Sequence, residues 1–189
     1  MARFIMTAYR STPLRLAIVG PESCGKSTLA QELTATLVAS GVAAACVDEY
    51  ARDYYAERAY APTPADVLAI ARGQLAREEE AAQHAEVLVC DSTALTCVIW
   101  AEVAFGRTEP ELVALNRPRD YALTFLACPD LSWQPDPLRS HPDQRDWLFG
   151  LYLAALEAAG VMPVPIRGLG KARLEAALAA IRQAGLLKI

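Results

Sequence analysis

Histidine is nearly missing from this chain: His84 and His141 are the only two in 189 residues. Zinc cages and imidazole acid–base centres draw on histidine first, so neither is expected, and both residues read as surface positions, one in a long helical stretch and one in a loop. The five cysteines (Cys24, Cys46, Cys90, Cys97 and Cys128) contain no C-x-x-C pair, and three lie in or at the end of apolar strand-like runs, where cysteine acts as a small hydrophobe. That usage excludes a disulfide framework and fits a reducing, cytoplasmic setting. No apolar run approaches the ~20 residues that span a bilayer, which argues against a membrane partner. The chain also lacks a basic balance: 18 Lys+Arg against 22 Asp+Glu give a net charge of -4. Nucleic-acid binding rests on a basic face, so a small molecule is the expected partner and a nucleic acid is not.

Linkers are missing too. No Gly/Ser-rich or charge-rich stretch divides the sequence, and 53% hydrophobic residues suffice for one good core. Residues 14–189 therefore read as a single domain. Residues 1–13, with Arg3 and Arg10 around a short apolar patch and no long h-region, read as an N-terminal extension. Oligomeric state is not legible.

Apolar strand-like runs alternate with helical patterns along the chain. The strands are predicted at Leu14–Val19, Ala44–Val47, Val87–Cys90, Ala122–Ala127 and Met162–Ile166. Helices are predicted at Lys26–Ser40, Pro64–Ala85, Ala94–Phe105, Glu111–Asn116, Gln144–Ala159 and Lys171–Ala184. Such alternation predicts an α/β protein, a three-layer α/β/α sandwich around a mostly parallel five-stranded sheet. Ligands bind beyond the carboxyl ends of the strands in these sheets, so the residues after each run carry the argument.

After the first strand stands Gly20-Pro21-Glu22-Ser23-Cys24-Gly25-Lys26-Ser27, a fit to the phosphate loop G-x-x-x-x-G-K-[ST] between a strand and a helix. Glycines at both ends let backbone N–H groups from Gly20 through Thr28 turn onto phosphate oxygens, and the helix directs its positive end at the same anion. Gly20, Glu22, Ser23, Cys24, Gly25, Lys26, Ser27 and Thr28 are thus the candidate ATP-binding residues. Lys26 reaches the β- and γ-phosphates, and Ser27 offers a hydroxyl to Mg2+. Cys24 reads as a small side chain that fits the loop.

After the second strand, Asp48-Glu49-Tyr50-Ala51-Arg52-Asp53 brings carboxylates and a guanidinium to the ligand end. Glu49 is the candidate base or hydroxyl anchor, with Tyr50 and Arg52 beside it; helix capping is the competing role for Glu49. After the third strand, Asp91 is the candidate second magnesium ligand, or an N-cap, or both. After the fourth, residues 129–145 are rich in Pro, Asp, Trp and Arg without periodicity and read as a lid, because a loop this long in a compact domain is usually functional. Within it Arg139 and Arg145 are candidates to close on the transferring phosphate. Trp133 is a candidate to stack on a flat substrate ring or to anchor the loop.

The ordered set GPESCGKST, DEYARDY, Gly73-Gln74 leading to CDST, Trp100 through Gly106, Tyr121 to Leu126, and Trp133 with Asp136 to Arg139 resembles the ribosylnicotinamide kinase domain of the bifunctional NAD-salvage regulators, and bacterial ATPases close to it. The likeness runs from about Leu14 to the last helix. It implies a phosphate-loop kinase that phosphorylates the 5′-hydroxyl of nicotinamide riboside with ATP and Mg2+, giving nicotinamide mononucleotide, with Asp136 among the substrate residues. The family pattern reads D-T-D, P-W and D-G-x-R where this chain has Asp91-Ser92-Thr93, Ser132-Trp133 and Asp136-Pro137-Leu138-Arg139. No adenylyltransferase-like or DNA-binding segment occurs in the sequence, so neither a second catalytic role nor a regulatory one is expected.

Other classes fit less well. A guanine-reading N-K-x-D has its nearest match at Asn116 to Asp120, with the wrong residue and ahead of the fourth strand. A mechanical ATPase usually carries an acid beside Asp91 to activate water, where this chain has Ser92. The remaining alternatives are another nucleoside or nucleotide kinase and a nucleotide-sensing ATPase without kinase activity.

Overall fold

A computed structural model describes residues 12–188, so most of the expected N-terminal extension lies outside the described residues. Five strands, β1 (Leu14–Val19), β2 (Ala44–Val47), β3 (Val87–Asp91), β4 (Leu123–Ala127) and β5 (Val164–Ile166), form one sheet in the order β2-β3-β1-β4-β5, every pair parallel. The helices are α1 (Lys26–Ala39), α2 (Tyr50–Tyr54), α3 (Pro64–Ala81), α4 (Ala94–Phe105), α5 (Pro110–Leu115), α6 (Arg145–Ala158) and α7 (Lys171–Gln183).

Right-handed crossovers decide which face each helix covers. The chain steps one way from β1 to β2, and every later step runs the other way, so α1 lies opposite α3, α4 and α6. Side chains of β1 divide accordingly: Leu14, Leu16 and Ile18 pack with Leu29, Leu33 and Leu37 of α1 and Ala177 and Ile181 of α7. Ala17 and Val19 face Leu95 and Ile99 of α4 and Leu148, Tyr152 and Leu156 of α6. Both faces of the sheet are covered, as a parallel sheet requires. The expected α/β/α sandwich is present, with its sheet wholly parallel.

Local chemistry explains some element ends. Thr63 and Asp66 form a reciprocal capping box before Pro64, which sits where a missing N–H costs nothing. β5 starts at Val164 instead of Met162, which is 81% exposed and so lies outside the packed sheet. Arg145, expected at the end of the loop after the fourth strand, instead opens α6. The sequence reading missed α2, which at five residues is too short to hold itself together and rests on Gly73 of α3, where a Cβ would meet the Tyr50 ring at 2.2 Å.

Candidate active site

β1 lies between β3 and β4, so the direction of strand addition reverses around it and a crevice opens at its carboxyl end. The phosphate loop fills that crevice. Gly20 has φ 137°, and a Cβ there would lie 2.8 Å from the Ala127 carbonyl oxygen; only glycine permits this approach of the loop to β4. Gly25, at φ 71°, is the N-cap of α1, which releases Lys26 and Ser27 into the first turn. Ser23 and Ser92 are the two non-glycine residues with positive φ among the described residues, at 55° and 70°. Both border the crevice, where backbone strain is held by the surrounding structure.

Lys26 Nζ donates to the Pro21 carbonyl at 2.7 Å and so lies folded over its own loop. Cys24 is buried with Sγ 3.3 Å from the Glu22 carbonyl, and burial pushes its thiol up, which matches a packing role. Asp91 closes β3 and is 1% exposed, yet its Oδ1 has no hydrogen-bond partner. Burial pushes this carboxyl up, while the Lys26 charge and the Ser27 hydroxyl pull it back. The N-cap of α4 is Thr93, whose hydroxyl accepts the Leu95 N–H at 3.3 Å, so Asp91 does not cap that helix. Asp91 is thus a buried carboxylate with one oxygen unpartnered at the end of the strand next to the phosphate loop. Among the described residues no cluster of three His, Cys, Asp or Glu provides a fuller cage.

Glu49 occupies the N-cap position of α2, but its side chain makes no capping bond. Its Oε1 instead lies 3.5 Å from Ser92 Oγ and its Oε2 3.6 Å from Arg52 Nε. Arg52 also donates to Asp136 at 3.0 Å, and the Leu138 N–H and the Arg52 guanidinium hold the Asp136 carboxyl below the usual range. A chain of ion pairs thus runs from the second strand's end to the loop after β4.

That loop, residues 128–144, is clasped to the phosphate loop. Glu22 Oε2 accepts the backbone N–H groups of Ser140 and His141 at 2.9 and 3.1 Å, and Ser23 Oγ accepts that of Gln134 at 2.8 Å. Arg139 donates to Gln134 O at 2.6 Å and lines the cavity. Arg145 donates to Leu131 O at 2.8 Å and to Ser23 O at 3.3 Å, with its guanidinium 5.9 Å from the centre of the Trp133 ring. Arg145 and Trp133 therefore brace the loop and do not line the cavity. Tyr50 does not line the cavity either: its ring packs on α3, under Arg77 at 4.6 Å.

One cavity of about 220 Å3 joins these parts. Gly20 to Thr28, Glu49, Arg52 and Arg139 line its phosphate side; Tyr55, Gln74, Thr96, Trp100 and Tyr152 line the other. Sequence reasoning gave Gln74 no role and missed Arg173. The latter is 5% exposed on α7, donates to Asp130 Oδ1 at 2.6 Å and to the Cys24 carbonyl at 2.9 Å, and so grips the phosphate loop from behind. An arginine in an alanine-rich helix gives no sign of this in sequence.

A glycine loop closing β1, a lysine and serine opening the next helix, and an aspartate ending the adjacent strand define a phosphate-loop NTPase fold. The chain belongs to the AAA domain family, whose model matches residues 15–173. No curated protein matches it. Similar solved structures include a NadR protein in complex with NR, nicotinamide riboside (19% identity, TM-score 0.70, covering 94% of this chain and 52% of that one). A NadR protein in complex with NAD and AMP-PNP is also similar (17% identity, TM-score 0.65, covering 94% and 51%). The chain spans about half the length of those proteins, and the likeness shows a shared fold. Among the described residues no helix is long and apolar enough to cross a membrane.

Proposed function

We propose that this protein is an ATP-dependent small-molecule kinase whose acceptor is the 5′-hydroxyl of a riboside, nicotinamide riboside foremost. The observation that carries the reading is the single cavity with a phosphate loop on one side, an uncharged aromatic pocket on the other, and the uncapped carboxylate of Glu49 on its border. A domain that only hydrolyses ATP needs no such second pocket. The resemblance of a NadR protein bound to nicotinamide riboside supports the choice of acceptor.

In this reading Lys26 and the loop N–H groups hold the β- and γ-phosphates and stabilise the charge that grows during transfer. Ser27 and Asp91 hold Mg2+, which when bound neutralises phosphate charge. Glu49 accepts the hydroxyl proton as the acceptor oxygen attacks, and Ser92 steadies the carboxylate through Oε1. Arg139 faces the same cavity, where a guanidinium stabilises the transferring group, and Arg52 with Asp136 holds the loop after β4 against α2. The loop over the site limits water, as a kinase requires.

The test is ADP release with Mg2+ across a panel of nicotinamide riboside, its nicotinate analogue and ordinary nucleosides. Release that depends on one acceptor, with the phosphorylated riboside found by mass spectrometry, supports the proposal. Another nucleoside as the preferred acceptor replaces nicotinamide riboside. ADP release indifferent to every acceptor removes the kinase reading and leaves an ATPase.

A further inference from the structure

Three buried polar atoms of the cavity residues have no hydrogen-bond partner and no part in phosphate chemistry: Gln74 Nε2, Tyr55 Oη and Thr96 Oγ1. A buried polar group without a partner costs stability comparable to a lost hydrogen bond, so such groups persist where a ligand satisfies them. Gln74 is the most constrained of the three. It is 3% exposed on α3, and its Oε1 accepts the backbone N–H of Tyr50 at 2.9 Å. A main-chain N–H only donates, which fixes the amide with its oxygen toward Tyr50 and leaves Nε2 as a donor without a protein acceptor. Tyr50 directly follows Glu49, so one glutamine both grips the start of α2 and borders the pocket.

The surroundings of that donor are selective in charge. Glu22, Lys26, Glu49, Arg52, Arg139 and His141 are the ionisable lining residues apart from cysteine and tyrosine, and all come from the phosphate loop, the start of α2 or the loop after β4. The wall built by α3, α4 and α6 contributes no Asp, Glu, Lys, Arg or His to the cavity. On that side the rings of Tyr55, Tyr60 and Trp100 follow one another at centroid distances of 5.0 and 6.3 Å. Aromatic faces favour a flat or cationic ring, whereas a carboxylate among them is stripped of water and meets no cation.

We infer that Gln74 sets acceptor specificity: its Nε2 donates to a carbonyl or carboxamide oxygen on the acceptor's flat ring, and the uncharged wall rejects a ring that carries a carboxylate. The inference rests on the riboside kinase reading and sharpens it. It is tested with nicotinamide riboside, nicotinate riboside and the pyridinium riboside that lacks the carboxamide, against wild type and Gln74→Met, with dissociation constants from calorimetry and kcat/KM measured separately. Wild type is expected to bind nicotinamide riboside at least ~10-fold more tightly than either analogue. In Gln74→Met the preference over the pyridinium riboside is expected to fall to near unity. Losing the Tyr50 contact weakens all ligands together, so the ratio isolates the ring contact from any structural role.

Equal ratios in the two proteins overturn the inference, and so does a wild type that binds the carboxamide and pyridinium ribosides alike, a comparison that stands even if Gln74→Met does not fold. Wild type that binds none of the three also overturns it. Selective binding without turnover keeps the assignment of Gln74 and removes the kinase reading. Turnover of all three with equal kcat/KM does the reverse.

Discussion

Arg173 Nη2 donates to the backbone carbonyl of Cys24 at 2.9 Å, joining the last helix to the centre of the phosphate loop. The same guanidinium pairs with Asp130 and reaches the Gly168 carbonyl at 3.1 Å, so it ties together the loops that follow β1, β4 and β5. Arg173→Ala leaves the Cys24 and Gly168 carbonyls and the Asp130 carboxylate without this donor, so it should destabilise by about 3 kcal/mol. In a chain of this size that is a fall of roughly 6–12 °C in Tm. Arg173→Lys should recover little, because a point ammonium cannot span the fork's acceptors. Scanning calorimetry of both variants checks this; a change under ~2 °C for Arg173→Ala would show the loop to be held by other means.

Glu78 gives the fold a pH dependence. It is fully buried on α3, accepts the Tyr121 hydroxyl at 2.9 and 3.0 Å, and lies 3.8 Å from Arg15. Burial pushes its carboxyl up to about 7, against the pull of Tyr121 and Arg15. A carboxyl whose folded pKa is raised binds its proton more tightly folded than unfolded. Its contribution is therefore present below pH ~4.5 and lost as pH rises through about 7. Tm should fall from pH 5 to pH 8, with Glu78 responsible for about 3 kcal/mol of the loss. Glu78→Gln should flatten that slope and melt higher than wild type at pH 8. Parallel melting curves for the two proteins over this range would remove Glu78 as the cause.

How far the sequence could be read depended on how local each determinant is. β1 and β2 fall where the apolar runs place them, and the loop from Gly20 to Ser27 was readable because its G-x-x-x-x-G-K-S pattern is local in sequence. Asp91 was readable from its place after Val87 to Cys90. Two of its proposed roles were not separable in sequence; the structure gives the cap of α4 to Thr93. Contacts of long range left no trace: Arg173 with Cys24, Tyr121 with Glu78, and Arg52 with Asp136 are 149, 43 and 84 positions apart. Trp133 in an irregular loop reads as stacking a little sooner than anchoring, and its absence from the cavity lining, with Arg145 5.9 Å from its ring, marks it as a brace.

Lys26 and Asp91 should differ in what they do to stability. On the proposed reading Lys26→Ala removes charge stabilisation of the transferring phosphate, so kcat/KM should fall on the order of 10²–10³-fold with an unchanged circular dichroism spectrum. Near-normal turnover would sink the loop assignment.

Asp91→Asn keeps the shape of the side chain and deletes a buried charge whose Oδ1 has no partner. On the magnesium reading activity should drop steeply and recover in part at raised Mg2+, while Tm at pH 8 stays level or rises, since burial of this carboxylate outweighs the pull of Lys26 and Ser27. A variant that turns over like wild type at low Mg2+ would leave Asp91 without a metal role.

Glu49 is the residue on which the kinase reading is most exposed. Its carboxylate makes no helix-capping bond and is steadied only by Ser92 at 3.5 Å and Arg52 at 3.6 Å, so its loss should cost the fold little. If it takes the proton of the acceptor hydroxyl, Glu49→Gln retains size and hydrogen bonding but cannot accept that proton. The kcat should fall by ~10²-fold or more, with ATP affinity and Tm nearly unchanged. A purely structural glutamate gives the opposite pair of results, a lower Tm with kcat preserved. Ser92→Ala separates positioning from proton transfer: without its hydroxyl the carboxylate is less well aimed but keeps its basicity, so kcat should fall less than in Glu49→Gln. The double variant should be no slower than Glu49→Gln alone, because a positioning group has nothing left to position once the base is gone. Additive losses in that cycle would mean that Ser92 and Glu49 act on the substrate separately.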